Sequence, residues 1–182
     1  GFIGATLIRK LLLESNSIIY NLDKLGYSGS LESIKQVIKD QNIAAHRHIF
    51  HQINLESYED TLNAIKVIRP EMIYHLAAES HVDRSINNPG NFIKSNIIGT
   101  YNLLESAIIY YRDLDEKSKK LFKFIHISTD EVYGSIEGFK RFDENSKYNP
   151  NSPYSASKAS SDHLVRAWYK TYGLPCIITN CS

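Results

Sequence analysis

Short apolar runs alternate with longer amphipathic segments along this chain, and the alternation restricts the folds that it can adopt. The apolar runs have the length of buried strands and cover Ser17–Leu22, His48–Ile53, Met72–Ala78, Phe122–Ser128 and Pro175–Asn180. The longer segments space their apolar residues as helices do and cover Ile3–Glu14, Leu31–Lys39, Tyr58–Ile68, Asn91–Tyr111 and Ser155–Tyr172. Because strands separated by helices pair in parallel and are covered on both faces, the sequence predicts a doubly wound parallel sheet, an α/β fold.

Composition sets further limits on size and partners. A chain of 182 residues, 42% of them hydrophobic, can bury the core of one domain. The net charge of +1 offers no attraction for nucleic acid or an anionic membrane surface, and no apolar run approaches the length of a bilayer span. We therefore expect neither nucleic acid nor membrane as a partner. Asp113–Lys120 is predicted to be a solvated turn, and Phe139–Pro153 a polar loop.

The cysteines and histidines give no sign of a disulfide or a metal site. Cys176 and Cys181 lie five residues apart on a predicted strand, so they point to opposite faces and cannot pair locally. Reduced thiols are typical of the cytoplasm. His46, His48 and His51 have loose spacing and lack the cysteine or carboxylate partners of a ligand pattern, so we predict no metal.

The first residues resemble the end of a glycine-rich turn between a strand and a helix. Gly1-Phe2-Ile3-Gly4 leads at once into a helical segment, and the backbone N–H groups of such a turn cradle a pyrophosphate. The strand before such a turn normally lies at the centre of the sheet, so we expect it to precede Gly1.

Asp23 is the predicted ribose ligand. It stands at the end of the second strand, about twenty residues after the glycine turn. This is the spacing expected of the carboxylate that binds the ribose hydroxyls. An anion there repels a 2′-phosphate, so NAD is favoured over NADP; the alternative is a surface turn before Lys24. Asn54, after the third strand, can reach an adenine edge or cap the helix that begins near Tyr58, and both readings stay open.

Two runs carry the candidate chemistry: Ser128–Gly134 and Tyr154–Lys158. The second is a Tyr-x-x-x-Lys pair. Tyr20 and Lys24 match it too, but they lie on a strand, whereas only a helical step of four residues places both side chains on one face. A phenol base beside an ammonium, the hydroxyl of Thr129 and the carboxyls of Asp130 and Glu131 suit oxidation of a sugar alcohol followed by loss of water.

The strand ends converge. Asp23, the run Ala77–Ser80 and the run Thr129–Glu131 all follow predicted strands, and a doubly wound sheet binds its ligand beyond the carboxyl ends of its strands. This agreement indicates one ligand site.

On these motifs the chain resembles the extended short-chain dehydrogenase/reductases, and within them the dTDP-glucose 4,6-dehydratase family. The likeness runs along the whole chain, through Gly1–Gly4, Asp23–Leu25, Leu76–Ser85, Ser128–Gly134, Tyr154–Lys158 and Thr179–Ser182. It implies a Rossmann-type NAD-binding domain over residues 1–182, truncated at both ends, with the substrate domain mostly beyond Ser182. The family pattern has Asp at position 54 and Thr at position 26, where this chain has Asn54 and Gly26.

The resemblance also implies which residues bind which ligand. The expected NAD ligands are Gly1, Phe2, Ile3, Gly4, Asp23, Lys24, Leu25, Gly26, Asn54, Leu55, Leu76, Ala77, Ala78, Glu79, Ser80, Ser95, Tyr154 and Lys158. The expected sugar ligands are Ser80, Thr129, Asp130, Glu131 and Asn180.

The implied reaction turns dTDP-glucose into a 4-keto-6-deoxy sugar nucleotide. Tyr154 is the expected base at O4, Lys158 tunes it and binds the ribose, and Thr129 orients the alcohol. Glu131 is placed to remove the C5 proton, and Asp130 to protonate the departing C6 hydroxyl; a turn-capping role is the alternative for this pair. Hydride then returns to C6, so that NAD is regenerated.

Three other readings stay open at this point. A nucleotide-sugar 4-epimerase and a UDP-glucuronate decarboxylase use the same scaffold, and epimerisation needs no second acid or base. A non-catalytic nicotinamide-binding module would be expected to lack part of the Tyr–Lys–hydroxyl set.

By resemblance, Asn91–Tyr111 and Ser155–Tyr172 are expected to form a homodimer interface.

Overall fold

The chain divides into two units, Gly1–Asn54 and Leu55–Ser182. The computed structural model describes residues 1–27, 29–136 and 141–182. The start of the polar loop predicted over Phe139–Pro153 lies outside the described residues.

The first unit contains two strands and two helices. In order they are α1 (Phe2–Glu14), β1 (Ile19–Asp23), α2 (Glu32–Asp40), a 3-10 turn (Ala45–Arg47) and β2 (His48–Gln52). β1 and β2 pair in parallel, with Ile19 opposite His48 and Asp23 opposite Gln52. The Arg47 guanidinium donates to the carbonyls of Ser15 and Ser17 at 2.7 and 2.9 Å. The guanidinium also lies 3.4 Å from the carbonyl of Leu12, one of those that the end of α1 leaves without a helical partner.

The second unit is a parallel three-stranded sheet with flanking helices. Its elements are α3 (Tyr58–Ile68), β3 (Met72–His75), α4 (Val82–Asn87), α5 (Pro89–Phe92), a π-helical segment (Ile93–Ile98), α6 (Gly99–Arg112), α7 (Glu116–Leu121), β4 (Lys123–Thr129), a 3-10 turn (Asp130–Tyr133), α8 (Pro153–Tyr172) and β5 (Cys176–Cys181). The sheet has the order β3-β4-β5, with Ile73 opposite Phe124 and Ser128 opposite Asn180. The central strand β4 therefore brings its end next to the end of β5.

The core of the second unit lies between this sheet and helices α3, α6 and α8. Leu104, Phe122, Phe124, Val165 and Leu174 are fully buried there. Each large apolar side chain removed from water stabilises the fold by about 1.5–3 kcal/mol. This core fixes α8 against β4, the two elements that carry the candidate chemistry.

Both ends of α8 are set by local sequence. Ser152 caps the helix in a reciprocal capping box with Ser155, and Pro153 occupies the first turn, where its missing N–H costs nothing. At the other end Gly173 adopts the left-handed conformation with φ of 72°, which favours glycine over any other residue. Tyr154 and Lys158 consequently lie in the first two turns of a firmly bounded helix.

The structure confirms all five predicted strands and corrects several boundaries. The strand predicted over Met72–Ala78 ends at His75, and the long helix predicted over Asn91–Tyr111 is interrupted by the π-helical segment. The solvated turn predicted for Asp113–Lys120 is wrong, because Asp115 accepts hydrogen bonds from the N–H groups of Lys117 and Ser118 and starts α7. Within the described ranges, no helix is both long and apolar enough to cross a bilayer.

Candidate active site

The end of β4 turns sharply into an acidic 3-10 turn. Thr129, the last residue of the strand, accepts a hydrogen bond from the Glu131 N–H at 3.3 Å and caps the turn. The turn closes at Gly134, whose φ of 88° and whose contact with the Asn149 carbonyl oxygen leave no room for a Cβ. The backbone thus holds Asp130 and Glu131 directly after the strand. Capping of the turn was the alternative role for this acidic pair, and the structure gives that role to the Thr129 side chain.

Tyr154 projects from the first turn of α8 toward this strand end. Its side chain is 8% exposed, packs edge-on against Phe92 with ring centroids 6.3 Å apart, and lies near enough to the Thr129 hydroxyl for that group to affect its pKa. Burial raises the pKa of the phenol above 10.0; the Thr129 hydroxyl opposes this, and the charges of Glu131 and Asp130 add to it. Within these surroundings the phenol is neutral at neutral pH, so a base at this position needs a nearby positive charge.

Lys158 lies one helical turn further along α8 and is 4% exposed. Its Nζ donates to the Ile127 carbonyl at 2.8 Å and lies 3.5 Å from Nε2 of His126. Burial lowers the pKa of the ammonium to about 8, while Asp162 and Cys181 oppose the shift. Lys158 is therefore mostly charged at neutral pH. The groups that shift the pKa of Tyr154 are Thr129 and three carboxylates, so the tuning of the phenol by Lys158 stays a prediction.

The two acids of the turn differ in exposure. Asp130 is half-buried and Glu131 is exposed, and the Thr129 hydroxyl lies 3.4 Å from an Asp130 carboxylate oxygen. Partial desolvation raises the pKa of Glu131, and the neighbouring Asp130 charge raises it further. A carboxyl with a raised pKa is a better proton acceptor than a free one, which suits a general base.

The other predicted ligands of the second unit lie on neighbouring elements, and one of them contacts this strand end. Asn180, on the neighbouring β5, donates to the Thr129 carbonyl at 3.2 Å. Leu76, Ala77, Ala78, Glu79 and Ser80 follow β3 as irregular backbone, with Ala77 and Ser80 exposed. Ser95 lies in the π-helical segment, and Leu55 begins the second unit, where its carbonyl accepts from Asn102 at 2.8 Å.

Asn96 is a residue that sequence reasoning missed. Its buried side chain pairs with the Glu79 backbone twice, accepting from the N–H at 2.8 Å and donating to the carbonyl at 2.9 Å. It also donates to the Ser157 hydroxyl at 2.8 Å. Asn96 therefore ties the segment after β3 to α8, and the wider turn of the π-helical segment presents it. The sequence carried little signal, because Asn96 follows two other polar residues, Lys94 and Ser95, between the apolar pairs Phe92–Ile93 and Ile97–Ile98.

Asp162 was missed as well. Its carboxylate is buried, accepts from the hydroxyls of Ser128 and Tyr148 at 2.7 and 2.9 Å, and lies 3.1 Å from Nε2 of His126. The signal was present in the sequence, because Tyr154, Lys158 and Asp162 follow one another at four-residue intervals and so share one face of α8.

The first unit brings its own predicted ligands together. The Gly1 backbone nitrogen lies 3.4 Å from one carboxylate oxygen of Asp23, and the Leu25 N–H donates to the other at 2.7 Å. Phe2 and Ile3 are exposed at the start of α1, and added Cβ atoms at Gly1 and Gly4 would meet no described atom within 4 Å. An open helix N-terminus beside a carboxylate suits a phosphate joined to a ribose.

The residues after Asp23 form a tight turn. Leu25 has a positive φ of 51°, the Lys24 carbonyl accepts from Gln52 at 3.4 Å, and a Cβ at Gly26 would make only ordinary contact with Lys24. Asn54 ends the first unit. Helix α3 is capped by Ser57, which accepts from the Asp60 N–H, so the capping alternative for Asn54 is wrong.

The histidines do not gather into a metal site. In the part of the chain that the structure describes, no group of three or more His, Cys, Asp or Glu side chains is close enough to hold an ion. Cys176 and Cys181 are free thiols.

Fold and site together define the class of protein. Both units have parallel strands with flanking helices, as Rossmann-type α/β proteins do. The first unit has a helix N-terminus beside a strand-end carboxylate. The second has a Tyr–Lys pair at a strand end, which is a candidate site for acid–base chemistry. The profile of the family described as GDP-mannose 4,6 dehydratase matches residues 1–182. The chain belongs to this family.

Individual relatives are similar over the whole chain. The dTDP-glucose 4,6-dehydratase of Neisseria meningitidis serogroup B is 48% identical over 183 residues, which cover 100% of this chain and 50% of the relative. The chain thus spans about half the length of the curated relatives it matches. A Streptomyces venezuelae dTDP-glucose 4,6-dehydratase solved with NAD bound superposes with a TM-score of 0.85 at 34% identity, covering 100% of this chain and 52% of that one.

An epimerase shares the same fold. The Thermus thermophilus UDP-glucose 4-epimerase, solved as a complex with NAD, has a TM-score of 0.80 and 27% identity, with 99% of this chain and 51% of that one covered. Fold alone therefore does not separate dehydration from epimerisation, and the side chains at the end of β4 have to make that distinction.

Proposed function

We propose that the full-length protein carrying this chain is an NAD-dependent dTDP-glucose 4,6-dehydratase, a lyase that forms dTDP-4-keto-6-deoxyglucose. Identity of 48% to a curated enzyme of that name over the whole of this chain supports the assignment. The observation that carries it is the acidic pair Asp130–Glu131, held by a Thr129-capped turn next to the hydroxyl of Tyr154. Dehydration needs this second acid and base, whereas epimerisation does not.

The residues present fit NAD. In the first unit the open start of α1 suits the pyrophosphate, and Asp23 suits the ribose hydroxyls while repelling a 2′-phosphate. In the second unit Tyr154, Lys158 and the segment Leu76–Ser80 are the proposed ligands of the nicotinamide ribose. When bound, NAD supplies a hydride acceptor at C4 that later returns the hydride to C6.

Deprotonation at O4 falls to Tyr154. The Thr129 hydroxyl, which lies beside the phenol, would bond to O4 and hold the alcohol in line with the base. Lys158 carries a positive charge on the same helix face and lowers the cost of forming phenolate. Burial of Tyr154 makes that assistance necessary, because its surroundings otherwise favour the neutral phenol.

Elimination of water falls to the acidic turn. Once C4 is a ketone, the C5 proton is acidic, and Glu131, with its raised pKa, is the base that removes it. Asp130 then donates a proton to the C6 hydroxyl as it leaves. The Thr129 hydroxyl beside Asp130 orients that carboxyl. Ser80 and Asn180 are proposed to contact the sugar from the neighbouring strand ends.

Product analysis tests the proposal. The full-length protein is incubated with dTDP-glucose and NAD in D₂O, and the product is followed by NMR. The expected product is a 4-keto-6-deoxy sugar nucleotide with deuterium at C5. Formation of dTDP-galactose without label would identify an epimerase instead, decarboxylation of UDP-glucuronate a decarboxylase, and NAD binding without turnover of any sugar nucleotide a binding module.

We further propose a cytoplasmic homodimer that forms through α6 and α8. Tyr101 and Tyr172 are exposed on these helices and both pack edge-on against Trp168, with ring centroids 5.9 and 5.3 Å away. The Arg112 guanidinium lies over the Tyr172 ring, at 5.8 Å. Aromatic surface with an adjacent arginine is typical of an interface. Light scattering of the full-length protein should give twice the chain mass, and Tyr172→Glu should give the mass of one chain.

The free thiols of Cys176 and Cys181 support the proposed location in the cytoplasm.

A further inference from the structure

Two buried side chains lie behind Lys158, and the proposed chemistry uses neither of them. His126 on β4 and Asp162 on α8 are 0% and 1% exposed, and Nε2 of His126 lies 3.1 Å from Oδ1 of Asp162. The other carboxylate oxygen accepts from Ser128 and Tyr148. A carboxylate is costly to bury, and this one is surrounded by donors from β4 and from the segment before α8. The expense of burying it suggests a task beyond filling space.

The position of His126 links this carboxylate to Lys158. Its Nε2 lies 3.5 Å from Lys158 Nζ and 3.1 Å from Asp162 Oδ1. The ammonium can only donate a hydrogen bond, and the carboxylate can only accept one. The shorter contact favours a proton on Nε2. Among the described residues, His126 Nδ1 and Asp162 Oδ1 are both buried without a hydrogen-bond partner, so the 3.1 Å contact at Nε2 is an electrostatic one, and nothing at Nδ1 competes for the proton. In that tautomer the Nε2–H points at the carboxylate and offers the ammonium no acceptor, so Lys158 donates to the Ile127 carbonyl and the ring lies between its charge and that of Asp162.

We propose that Asp162 is a positioning residue whose buried charge, held in place by Ser128, Tyr148 and His126, orients the ammonium of Lys158 and keeps it charged during turnover. This inference rests on the proposed function, because it assigns Asp162 to the reaction in which Lys158 assists the phenol. Asp162 itself touches neither sugar nor NAD in this scheme.

The charges around Lys158 support the role. The titratable groups near it are His126 from β4, Cys181 from β5 and Asp162 from its own helix; His75 on β3 packs at a tilt against His126, with ring centroids 5.1 Å apart. Burial pushes the pKa of Lys158 down to about 8, and Asp162 is the larger of the two named influences that hold it up. Without that anion the ammonium would lose its proton nearer to neutral pH.

The test replaces Asp162 with Asn in the full-length protein, which keeps the shape and removes the charge. The alkaline limb of the kcat/KM profile for dTDP-glucose is expected to move to lower pH by about one unit, so activity falls roughly tenfold more at pH ~9 than at pH ~6.5. Asp162→Glu should recover part of the shift. Ser128→Ala, which removes one donor but leaves the carboxylate, should keep the limb in place. An equal loss at every pH would overturn the proposal.

A second readout does not depend on turnover or on the stability of a variant. NMR of ¹⁵N-labelled histidine in the wild-type protein is expected to find the His126 proton on Nε2, and a proton on Nδ1 would overturn the inference. Wild-type protein that makes no keto sugar would contradict the proposed function, whereas an active wild type with an unshifted Asp162→Asn profile would contradict the role of Asp162 alone.

Discussion

The Thr129 hydroxyl lies beside the Tyr154 phenol and opposes the rise of its pKa, so the first turn of α8 meets the end of β4. Two runs that are separate in sequence therefore meet at one point. Thr129 is also the cap of the acidic turn, so the contact sets Tyr154, Asp130 and Glu131 around a single strand end. This arrangement lets one hydroxyl orient an alcohol between a base and a pair of carboxyls.

Removal of the Tyr154 hydroxyl should abolish most activity without unfolding the protein. Tyr154→Phe keeps the ring packed against Phe92 and removes the base at O4, so kcat should fall by about 10²- to 10⁴-fold. Steady-state kinetics with dTDP-glucose measure the loss. Tyr20→Phe is the matched control, because Tyr20 also precedes a lysine by four residues but lies on strand β1. Equal losses in the two variants would remove the phenol from the reaction.

Glu131→Gln should separate oxidation from elimination. Reduced nicotinamide should still appear on mixing with dTDP-glucose, while deuterium exchange at C5 slows by about 10²- to 10⁴-fold. In the active protein the base must be unprotonated, and its pKa is raised, so the acid limb of the elimination step should lie above 4.5. Glu116→Gln, on the exposed face of α7, is the control. C5 exchange that survives in Glu131→Gln would exclude this residue as the base.

Asp23 should decide between the two nicotinamide dinucleotides. Asp23→Ala removes the acceptor for the ribose hydroxyls and the repulsion of a 2′-phosphate, so NAD affinity should fall about tenfold or more while NADP affinity changes little. Calorimetric titration of the full-length protein measures both constants. Asp40→Ala, at the end of α2 in the same unit, should leave both unchanged. Parallel losses of NAD and NADP affinity would argue against contact with the ribose.

Acid should destabilise the second unit through His75. Burial holds the pKa of this ring well below 6.5, so below 6.5 the unfolded chain binds a proton that the folded chain does not. The contribution of His75 is therefore complete above 6.5 and is lost as pH falls, with a slope of at most about 1.4 kcal/mol per pH unit. Urea unfolding at several pH values measures the slope. His75→Gln should reduce it, and replacement of the exposed His81 should not; identical slopes in both variants would contradict the assignment.

The sequence predicted the elements that apolar periodicity reports directly. All five strands and the helix Tyr58–Ile68 were located, because burial selects residue type at fixed spacing. The strand predicted over Met72–Ala78 is longer than the observed one, which ends at His75. In the segment that follows, the backbone of Glu79 forms hydrogen bonds with the side chain of Asn96 and not with a neighbouring strand. The π-helical segment was missed because one extra residue per turn hardly alters an apolar pattern.

Side-chain networks set the limit of prediction for the site. Thr129, Tyr154 and Lys158 could be placed from motif and strand end, but the contact of Asp162 with His126 joins residues on two elements whose register only the packed core fixes. The start of α7 could have been predicted, because aspartate is a common N-cap residue and Asp115 accepts from the Ser118 N–H in the first turn. The density of charge in this segment favoured a turn instead.

The most direct test of the central claim is a crystal structure of full-length Glu131→Gln with NAD and dTDP-glucose. We expect the Tyr154 and Thr129 hydroxyls both to lie within hydrogen-bond distance of O4, and the side chain at position 131 to face C5 of the same hexose. A sugar bound with position 131 turned to solvent and Tyr154 out of reach of O4 would contradict this expectation.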